Sequence, residues 1–456
     1  MSEILKNLND RQIEAVTCFK GPMLVIAGAG SGKTRVLTHR IAYLIQEKGI
    51  NPWNILAVTF TNKAANEMKT RIVRLVGDIN RDGVEAAIPT VGTFHSVCVR
   101  ILRKNIHLLG GDNSFAIYDT ADQQILMKRI VNELMLDPKK INPKAVLAHI
   151  SNAKNALIGS KEYSSYANDY FTEKVAEIYP RYHLALAQNN ALDFDDIIMK
   201  TVELFQKFPD ILDEYQEKFR FISVDEYQDT NKAQYVLINL LAAKYRNLCV
   251  IGDEDQSIYS WRGATLQNIL DFEKDYPEVK VVKLEQNYRS TQVILDASNN
   301  IISKNLQRKD KKLWTEKEGG EKVRHWLADN ERHEGELVAH EISNLLVGSE
   351  YPAYNDFVVL YRTNAQSRIF EEVFLRYGIP YRIVGGIKFY ERKEIKDILA
   401  YLRIIQNPND SVSLMRIINV PTRKIGAKPW NPYLIFQQKI ICLFLTRCFS
   451  SMKFPV

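Results

Sequence analysis

The sequence has little of what marks secreted, membrane or repeat proteins. Its five cysteines, Cys18, Cys98, Cys249, Cys442 and Cys448, form no CxxC pair and no regular framework. That argues against a disulfide scaffold and for a reduced, cytoplasmic chain. No basic-then-apolar leader follows Met1-Ser2-Glu3, so no secretion signal is expected. The most apolar late stretch, Ile440 to Leu445, is interrupted on its flanks by Gln437, Gln438, Lys439 and Arg447. It falls far short of the roughly 20 apolar residues that a membrane helix needs, and no membrane span is expected. No repeat recurs at solenoid period. Charge is close to balanced: 61 Lys and Arg against 54 Asp and Glu leave +7. That suits a polyanionic partner but is shared by many basic proteins with no nucleic-acid role.

The 456 residues, 46% of them hydrophobic, suffice for two or three ordinary cores, so several domains are expected. Short apolar runs alternate with longer amphipathic ones: Met23 to Ala27 then Lys33 to Gln46, and Ile55 to Phe60 then Asn62 to Val76. This alternation predicts parallel strands joined by crossover helices. Further strands are expected at Phe219 to Val224, Leu248 to Gly252, Val279 to Leu284 and Phe357 to Tyr361. Each ends in polar residues, and ligands of open α/β sheets gather at such carboxyl ends. Between about Leu102 and Leu192 helical patterns dominate, as in Ala121 to Leu136 and Thr172 to Ala187, and read as a helical insertion. A second α/β region begins near Lys283, with Asp356 to Arg362 as its clearest strand. From about Pro429 the character changes, and residues 429–456 read as an out-of-frame or otherwise aberrant tail.

Ala27-Gly28-Ala29-Gly30-Ser31-Gly32-Lys33-Thr34 follows an apolar run and opens an amphipathic helix, the context a phosphate-binding loop requires. Glycines let the backbone curl so that its N–H groups face the phosphates, and the helix N-terminus adds positive potential. Lys33 would pair with β and γ oxygens, and Thr34 would reach Mg²⁺. Ala27 stands where the motif usually has its first glycine. Ile222-Ser223-Val224-Asp225-Glu226 supplies the other half, an apolar strand ending in two carboxylates. Asp225 would hold Mg²⁺ and Glu226 would polarise the attacking water. Alone, such a pair reads equally well as a solvated turn. Together the two motifs imply an NTPase, without saying what it moves.

The full run Asp225-Glu226-Tyr227-Gln228-Asp229-Thr230-Asn231 resembles the second motif of superfamily-one DNA helicases of the UvrD, PcrA and Rep type. Other stretches follow in that family's order. Asn9-Asp10-Arg11-Gln12 resembles the adenine-reading motif, with the Gln12 amide facing the adenine edge. Val58 to Ala65 and Gly92-Thr93-Phe94-His95-Ser96 resemble the two strand-contacting motifs of the first motor domain. The resemblance implies DNA contacts at Phe60, Thr61, Asn62, Thr93 and His95. Gly252 to Gly263 resembles the third motif, in which Gln256 would sense the γ-phosphate while Tyr259, Trp261 and Arg262 would meet DNA. Base stacking suits a sequence-blind motor, because every base has a flat face. Phe194 is a further stacking candidate, with core packing as the alternative. Leu284 to Thr291 resembles the fourth motif, in which Tyr288 would stack on adenine opposite Arg35 and Arg289 would reach the γ-phosphate as an arginine finger. Leu360 to Arg368 and Phe389 to Asp397 also resemble family stretches.

The resemblance thus implies an α/β P-loop NTPase, a RecA-like parallel-sheet motor domain with a helical insertion, plus an incomplete second RecA-like domain. The expected limits are 1–105 with 193–282 for the first motor domain and 106–192 for its insertion. Residues 283–384 would form the partial second motor domain, and 385–428 the start of its own insertion. It also implies ATP and Mg²⁺ as cofactors, single-stranded DNA and duplex junctions as partners, and 3′ to 5′ movement. The family's fifth and sixth motifs do not occur before Val456. An alternative expectation is therefore a truncated ATP- and DNA-binding fragment without motor activity. A helicase-nuclease subunit has less support, since no nuclease module is seen. The cluster Asp193, Asp195 and Asp196 suggests either a metal site or, preferably, helix capping and junction hydrogen bonds. The basic run Arg308 to Lys312 reads equally as a phosphate contact or a solvated face.

Overall fold

The computed structural model describes residues 3–77, 88–260, 263–305, 311–347, 353–384 and 393–423. They fall into two compact units, one drawn from residues 1–320 and 400–456 and the other from 321–399.

In the first unit the strands are β1 Met23–Ala27, β2 Ile55–Thr59, β3 Thr90–Thr93, β4 Ala116–Ile117, β5 Ala191–Leu192, β6 Phe221–Val224, β7 Leu248–Gly252 and β8 Lys280–Leu284. Six form one sheet in the order β3-β2-β6-β7-β1-β8, and β4 pairs with β5 alone. Every pairing is parallel. The framing helices are α1 Asp10–Thr17, α2 Lys33–Gln46, α3 Asn62–Val76, α4 Phe94–Asn105, α5 Thr120–Glu133, α6 Pro143–Asn155, α7 Tyr170–Gln188 and α8 Phe194–Lys207.

A parallel sheet carries helices on both faces, so its strands read as unbroken apolar runs. All residues of β1, β2 and β7 are buried. Successive side chains point to opposite faces. Met23, Val25, Ala27, Ile55 and Ala57 join one core with Val36, Leu37, Ile41, Met68 and Ile72 from α2 and α3. Leu24, Ile26, Leu56 and Val58 join the other with Phe94, Ile101, Ile197 and Ile198 from α4 and α8. Helix starts are set by local caps: Asn9 for α1, Thr61 for α3, Thr93 for α4 and Asp193 for α8 each accept a backbone N–H from the first turn.

The insertion has its own core, in which Met127, Ile130, Val146, Ile150, Val175 and Tyr179 of α5 to α7 meet. It is tied to the start of α8 by a buried ionic junction. Lys154 Nζ of α6 lies 2.7 Å from Asp193 Oδ2 and 2.8 Å from Asp196 Oδ1, with its side chain 1% exposed. The Tyr182 hydroxyl donates to Asp193 Oδ2 at 3.1 Å, and Asn155 Nδ2 donates to Asp195 Oδ1 at 3.1 Å. Burial and the neighbouring Asp196 push the Asp193 carboxyl up to about 7. Burial works against the Lys154 charge, but the two carboxylates outweigh it and hold its pKa above the usual lysine range. The three aspartates thus serve capping and junction bonds, and no metal-holding group of His, Cys, Asp or Glu occurs among the described residues.

Three sequence expectations change. Strand β8 pairs with β1 along its whole length, Ala27 facing Leu284, so residues 283 and 284 belong to the first sheet rather than to a second domain. Residues 400–423, expected within an insertion of the second domain, pack on α5 to α7 instead. Val412 enters their core, the Tyr118 hydroxyl donates to Asp410 Oδ1 at 2.7 Å, and Arg403 Nη1 pairs with Asp122 Oδ2 at 2.8 Å. Phe357 to Tyr361 forms no strand, and the described residues of 321–384 contain no sheet. Phe357, Val359 and Tyr361 pack against Ala339, Ile342, Phe370 and Val373 of helices Glu331–Val347 and Ser367–Tyr377. Val358 and Leu360, on the alternate positions, are 78% and 89% exposed. The period-2 pattern is present, but a strand needs a ladder, and among the described residues no ladder forms along it. The stretch 429–456 and Gly385 to Arg392 lie outside the described residues.

Removing the cation from a buried cluster leaves charge uncompensated, which costs about 3–5 kcal/mol. Lys154→Met should therefore lower the unfolding free energy by about that much, read by urea denaturation. A loss below about 1 kcal/mol would mean the junction is wetter than its burial implies.

Candidate nucleotide and nucleic-acid site

Strand β1 ends at Ala27, and the Gly28 N–H donates to Leu284 O at 3.2 Å, so the loop leaves the sheet at its carboxyl edge. Gly30 (φ +69°) and Gly32 (φ +90°) occupy the left-handed region that favours glycine. Ala27 is a buried strand residue, which explains why alanine serves where the motif usually has glycine. Ser31 is buried, and its hydroxyl donates to Gly28 O at 2.7 Å, closing the curl. Helix α2 starts at Lys33 with Gly32 as its cap and no side-chain cap bond. Its first-turn N–H groups thus have no side-chain acceptor, and an anion suits that position.

The loop is gripped from two sides. Gln12, 1% exposed, donates from Nε2 to Ser31 O at 2.9 Å and accepts the Asn9 N–H on Oε1 at 3.2 Å. Its amide is engaged at both ends with the protein itself, so reading an adenine would require it to exchange these bonds. Asn9 Nδ2 donates to the Tyr288 hydroxyl at 2.7 Å and to Gln286 Oε1 at 3.0 Å. Tyr288 N–H donates to Gly30 O at 3.0 Å, and Asn287 Nδ2 to Ala29 O at 2.6 Å. Buried Asn287 also accepts the N–H groups of Arg289 and Ser290, at 2.8 and 2.7 Å. A Cβ on Gly30 would lie 2.6 Å from Asn287 Nδ2 and 2.9 Å from Arg289 Cβ. Arg289, itself exposed, therefore starts beside the loop. Arg35 Cβ would lie 3.8 Å from a Cβ on Gly32.

Strand β6 delivers the acid pair. Asp225 N–H donates to Val58 O at 2.9 Å, and the residue is 4% exposed. Glu226 adopts φ +52°, a conformation that costs a non-glycine residue about 1–3 kcal/mol and is concentrated at functional sites. Its carboxylate meets Lys33 Nζ at 2.8 Å and accepts from Gln228 Nε2 at 3.0 Å. This joins the loop after β1 to the loop after β6, although β7 lies between the strands. Burial first, then the adjacent Glu226, pushes the Asp225 carboxyl up to about 7. A buried carboxylate crowded by a second one is a donor set that suits a divalent cation, with the Thr34 hydroxyl as the other expected ligand.

Gln228 extends the network: its Oε1 accepts the Asp253 N–H at 3.0 Å. Asp253 Oδ2 in turn accepts from Gln256 Nε2. Three residues on, the Tyr259 ring lies parallel to Phe60, 6.4 Å between centroids and 3° between planes. His95 meets Phe194 edge-on at 5.9 Å, and Phe194 is 46% exposed. Thr61 and Thr93 hydroxyls cap their helices, and Asn62 is exposed. Strand order sorts these groups: Phe60 and His95 follow β2 and β3 at one side of the sheet, while the phosphate loop follows β1 at the other. Loops after β6 and β7 lie between them. Trp261 and Arg262 lie outside the described residues.

Sequence reasoning passed over Asn287, Gln228 and Lys311. The first two stand inside quoted motifs. Lys311 lay in the basic run, expected to meet phosphate or solvent; its side chain is instead 3% exposed and paired with Asp253, Glu254 and Asp255. Residues 308–310 lie outside the described residues.

Asn287→Ala removes three bonds from a buried polar group. It should cost about 1–3 kcal/mol of stability and weaken binding of a fluorescent ATP analogue several-fold. Unchanged affinity would show that the loop holds its shape without this grip.

The family model of the UvrD/REP helicase N-terminal domain matches residues 8–277, and that of the UvrD-like helicase C-terminal domain matches residues 282–450. The second match takes in most of the stretch 429–456. Relatives named ATP-dependent DNA helicase PcrA, from Staphylococcus epidermidis and Staphylococcus aureus, are each 53% identical over 426 residues. The aligned part is 93% of this chain and 57% of each relative, so the chain spans little more than half their length. Motif order, loop geometry and these matches agree: the chain belongs to the UvrD/REP helicase family.

Proposed function

We propose that this chain is the ATP-hydrolysing motor portion of a DNA helicase that moves 3′ to 5′ on single-stranded DNA and opens duplex junctions. The observation that carries the reading is the 2.8 Å contact between Lys33 and Glu226, which joins the phosphate loop to the candidate hydrolytic carboxylate. The printed name of the relatives, ATP-dependent DNA helicase, supports the same activity. Free thiols at Cys18, Cys98 and Cys249 support a reducing, cytoplasmic location. Among the described residues no helix is long and apolar enough to cross a membrane.

In this reading the ATP phosphates lie against the open N-terminus of α2 and draw Lys33 away from Glu226. Glu226, relieved of its ion pair, accepts hydrogen bonding from the attacking water and orients it. Thr34 and Asp225 would hold Mg²⁺, which when bound supplies positive charge against the phosphate oxygens. Arg289 would add a second cation from the segment after β8, and Tyr288 and Arg35 would flank the base. Gln256 would report the γ-phosphate to Tyr259, whose parallel partner Phe60 offers a face of the size a base stacks on.

Two experiments test this. Steady-state hydrolysis should rise on adding single-stranded DNA, and Glu226→Gln should cut it by roughly 10²–10⁴-fold while ATP binding persists. ATP binding without turnover in the parent would reduce the chain to a nucleotide-binding fragment. Tyr259→Ala and Phe194→Ala should each weaken oligo-dT binding by about 1–3 kcal/mol in fluorescence anisotropy. Affinity unchanged in both would place the DNA track elsewhere.

A further inference from the structure

Three consecutive carboxylates follow β7, and one lysine faces all of them. Lys311 Nζ lies 2.7 Å from Asp253 Oδ1, 2.8 Å from Glu254 Oε1 and 2.8 Å from Asp255 Oδ2. Side-chain exposure is 3% for the lysine and 3%, 1% and 10% for the acids in turn. Asp253 is the hinge of this group: its Oδ2 holds the Gln256 amide, its Oδ1 accepts the Asp255 N–H at 3.2 Å, and its own N–H donates to Gln228. Gln228 in turn donates to Glu226. On the other side, Lys311 begins a segment seated over the phosphate loop. Lys312 N–H donates to Glu285 Oε1 at 3.0 Å, and Trp314 O accepts the Asn287 N–H at 2.7 Å. Leu313 Cδ2 covers Gly28 so closely that a Cβ there would lie 2.1 Å from it.

Without a cation at this point, adjacent buried carboxylates would repel one another. Asp253 would turn from Gln256, and unbalanced negative charge would face the expected γ-phosphate. We propose that Lys311 is a positioning residue that fixes Asp253, and through it Gln256, so that nucleotide binding at the phosphate loop is transmitted to the Tyr259 loop. This rests on the nucleotide reading of the site. A structural counter-ion alone would hold the fold but would not make the Tyr259 loop respond to nucleotide.

Hydrogen exchange on the full chain, with and without the β,γ-imido analogue of ATP and Mg²⁺, separates the two. In the parent, nucleotide should slow exchange at residues 28–34 and also at 253–259. In Lys311→Met, slowing at 28–34 should persist while that at 253–259 falls at least threefold, and Lys311→Arg should restore it. Should Lys311→Met fail to fold, Lys311→Met with Glu254→Gln and Asp255→Asn neutralises two of the three carboxylates, leaves Asp253 without its lysine, and is expected to show the same loss. Retained slowing at 253–259 in either variant overturns the inference, as does its absence from a parent that responds at 28–34. A parent with no response at 28–34 defeats the nucleotide reading itself, and the inference with it.

Discussion

The six parallel strands of the main sheet deliver the loops that follow them to one edge of that sheet, and the site depends on that constraint. Strand order, not chain order, decides which loops are neighbours. Loops after β2 and β3 are adjacent, so Phe60 and Phe94 meet at 6.0 Å although 34 residues apart. Loops after β6 and β7 sit between them and the phosphate loop, and so hold the residues able to touch both sides. Gln228 uses that position, bonding Glu226 at one end of its amide and the Asp253 N–H at the other. Helices buried on both faces prevent the strands from sliding, because a one-residue slip would turn each apolar set to the wrong core.

Charge after the strands of the first unit follows one pattern three times, twice at this edge and once after β5. Lys33 meets Glu226, Lys154 meets Asp193 and Asp196, and Lys311 meets Asp253, Glu254 and Asp255. In each case the acids directly follow a strand and the lysine comes from another element. Buried ion clusters add little net stability over apolar packing, because desolvation offsets attraction, whereas losing one partner is costly. Such clusters therefore fix which elements meet more than they hold the fold together. The Lys154 cluster fixes the insertion on α8, and the other two fix the segments that a nucleotide would touch.

Much of this was legible in the residues. Helices α2 and α3 run over the limits their amphipathic pattern predicts, and the strand before the phosphate loop ends where the loop begins. The aspartate cluster at Asp193 was correctly weighed toward capping, since an acid three residues before another at a helix start satisfies exposed N–H groups. What failed did so for physical reasons. Strand β3, Thr90 to Thr93, has three β-branched residues but is only four long and broken by Gly92, too short for a pattern to show; it pairs along β2. Phe357 to Tyr361 has the alternation of a strand, but alternation does not supply a partner. Lys311 is 56 residues beyond Asp255, and no spacing rule links a lysine to acids across such a distance. Separate from these, the Gln12 amide is committed to Ser31 and Asn9, bonds that an adenine would have to exchange.

That commitment, with the Lys33 pairing, bears on how the site would begin to work. The lysine expected to bind phosphate pairs with the carboxylate expected to activate water. The Glu226 oxygen that accepts from Lys33 and Gln228 is occupied by those two bonds and is not open to a water. A phosphate group carries more charge than a carboxylate and competes for Lys33 from the open end of α2. Arrival of the substrate would therefore loosen the bond that occupies the Glu226 carboxylate, and hydrolytic competence would follow occupancy. The left-handed backbone at Glu226 aims its side chain toward Lys33 instead of along the strand direction. The strain is thus spent on placing one carboxylate within reach of a loop two strands away.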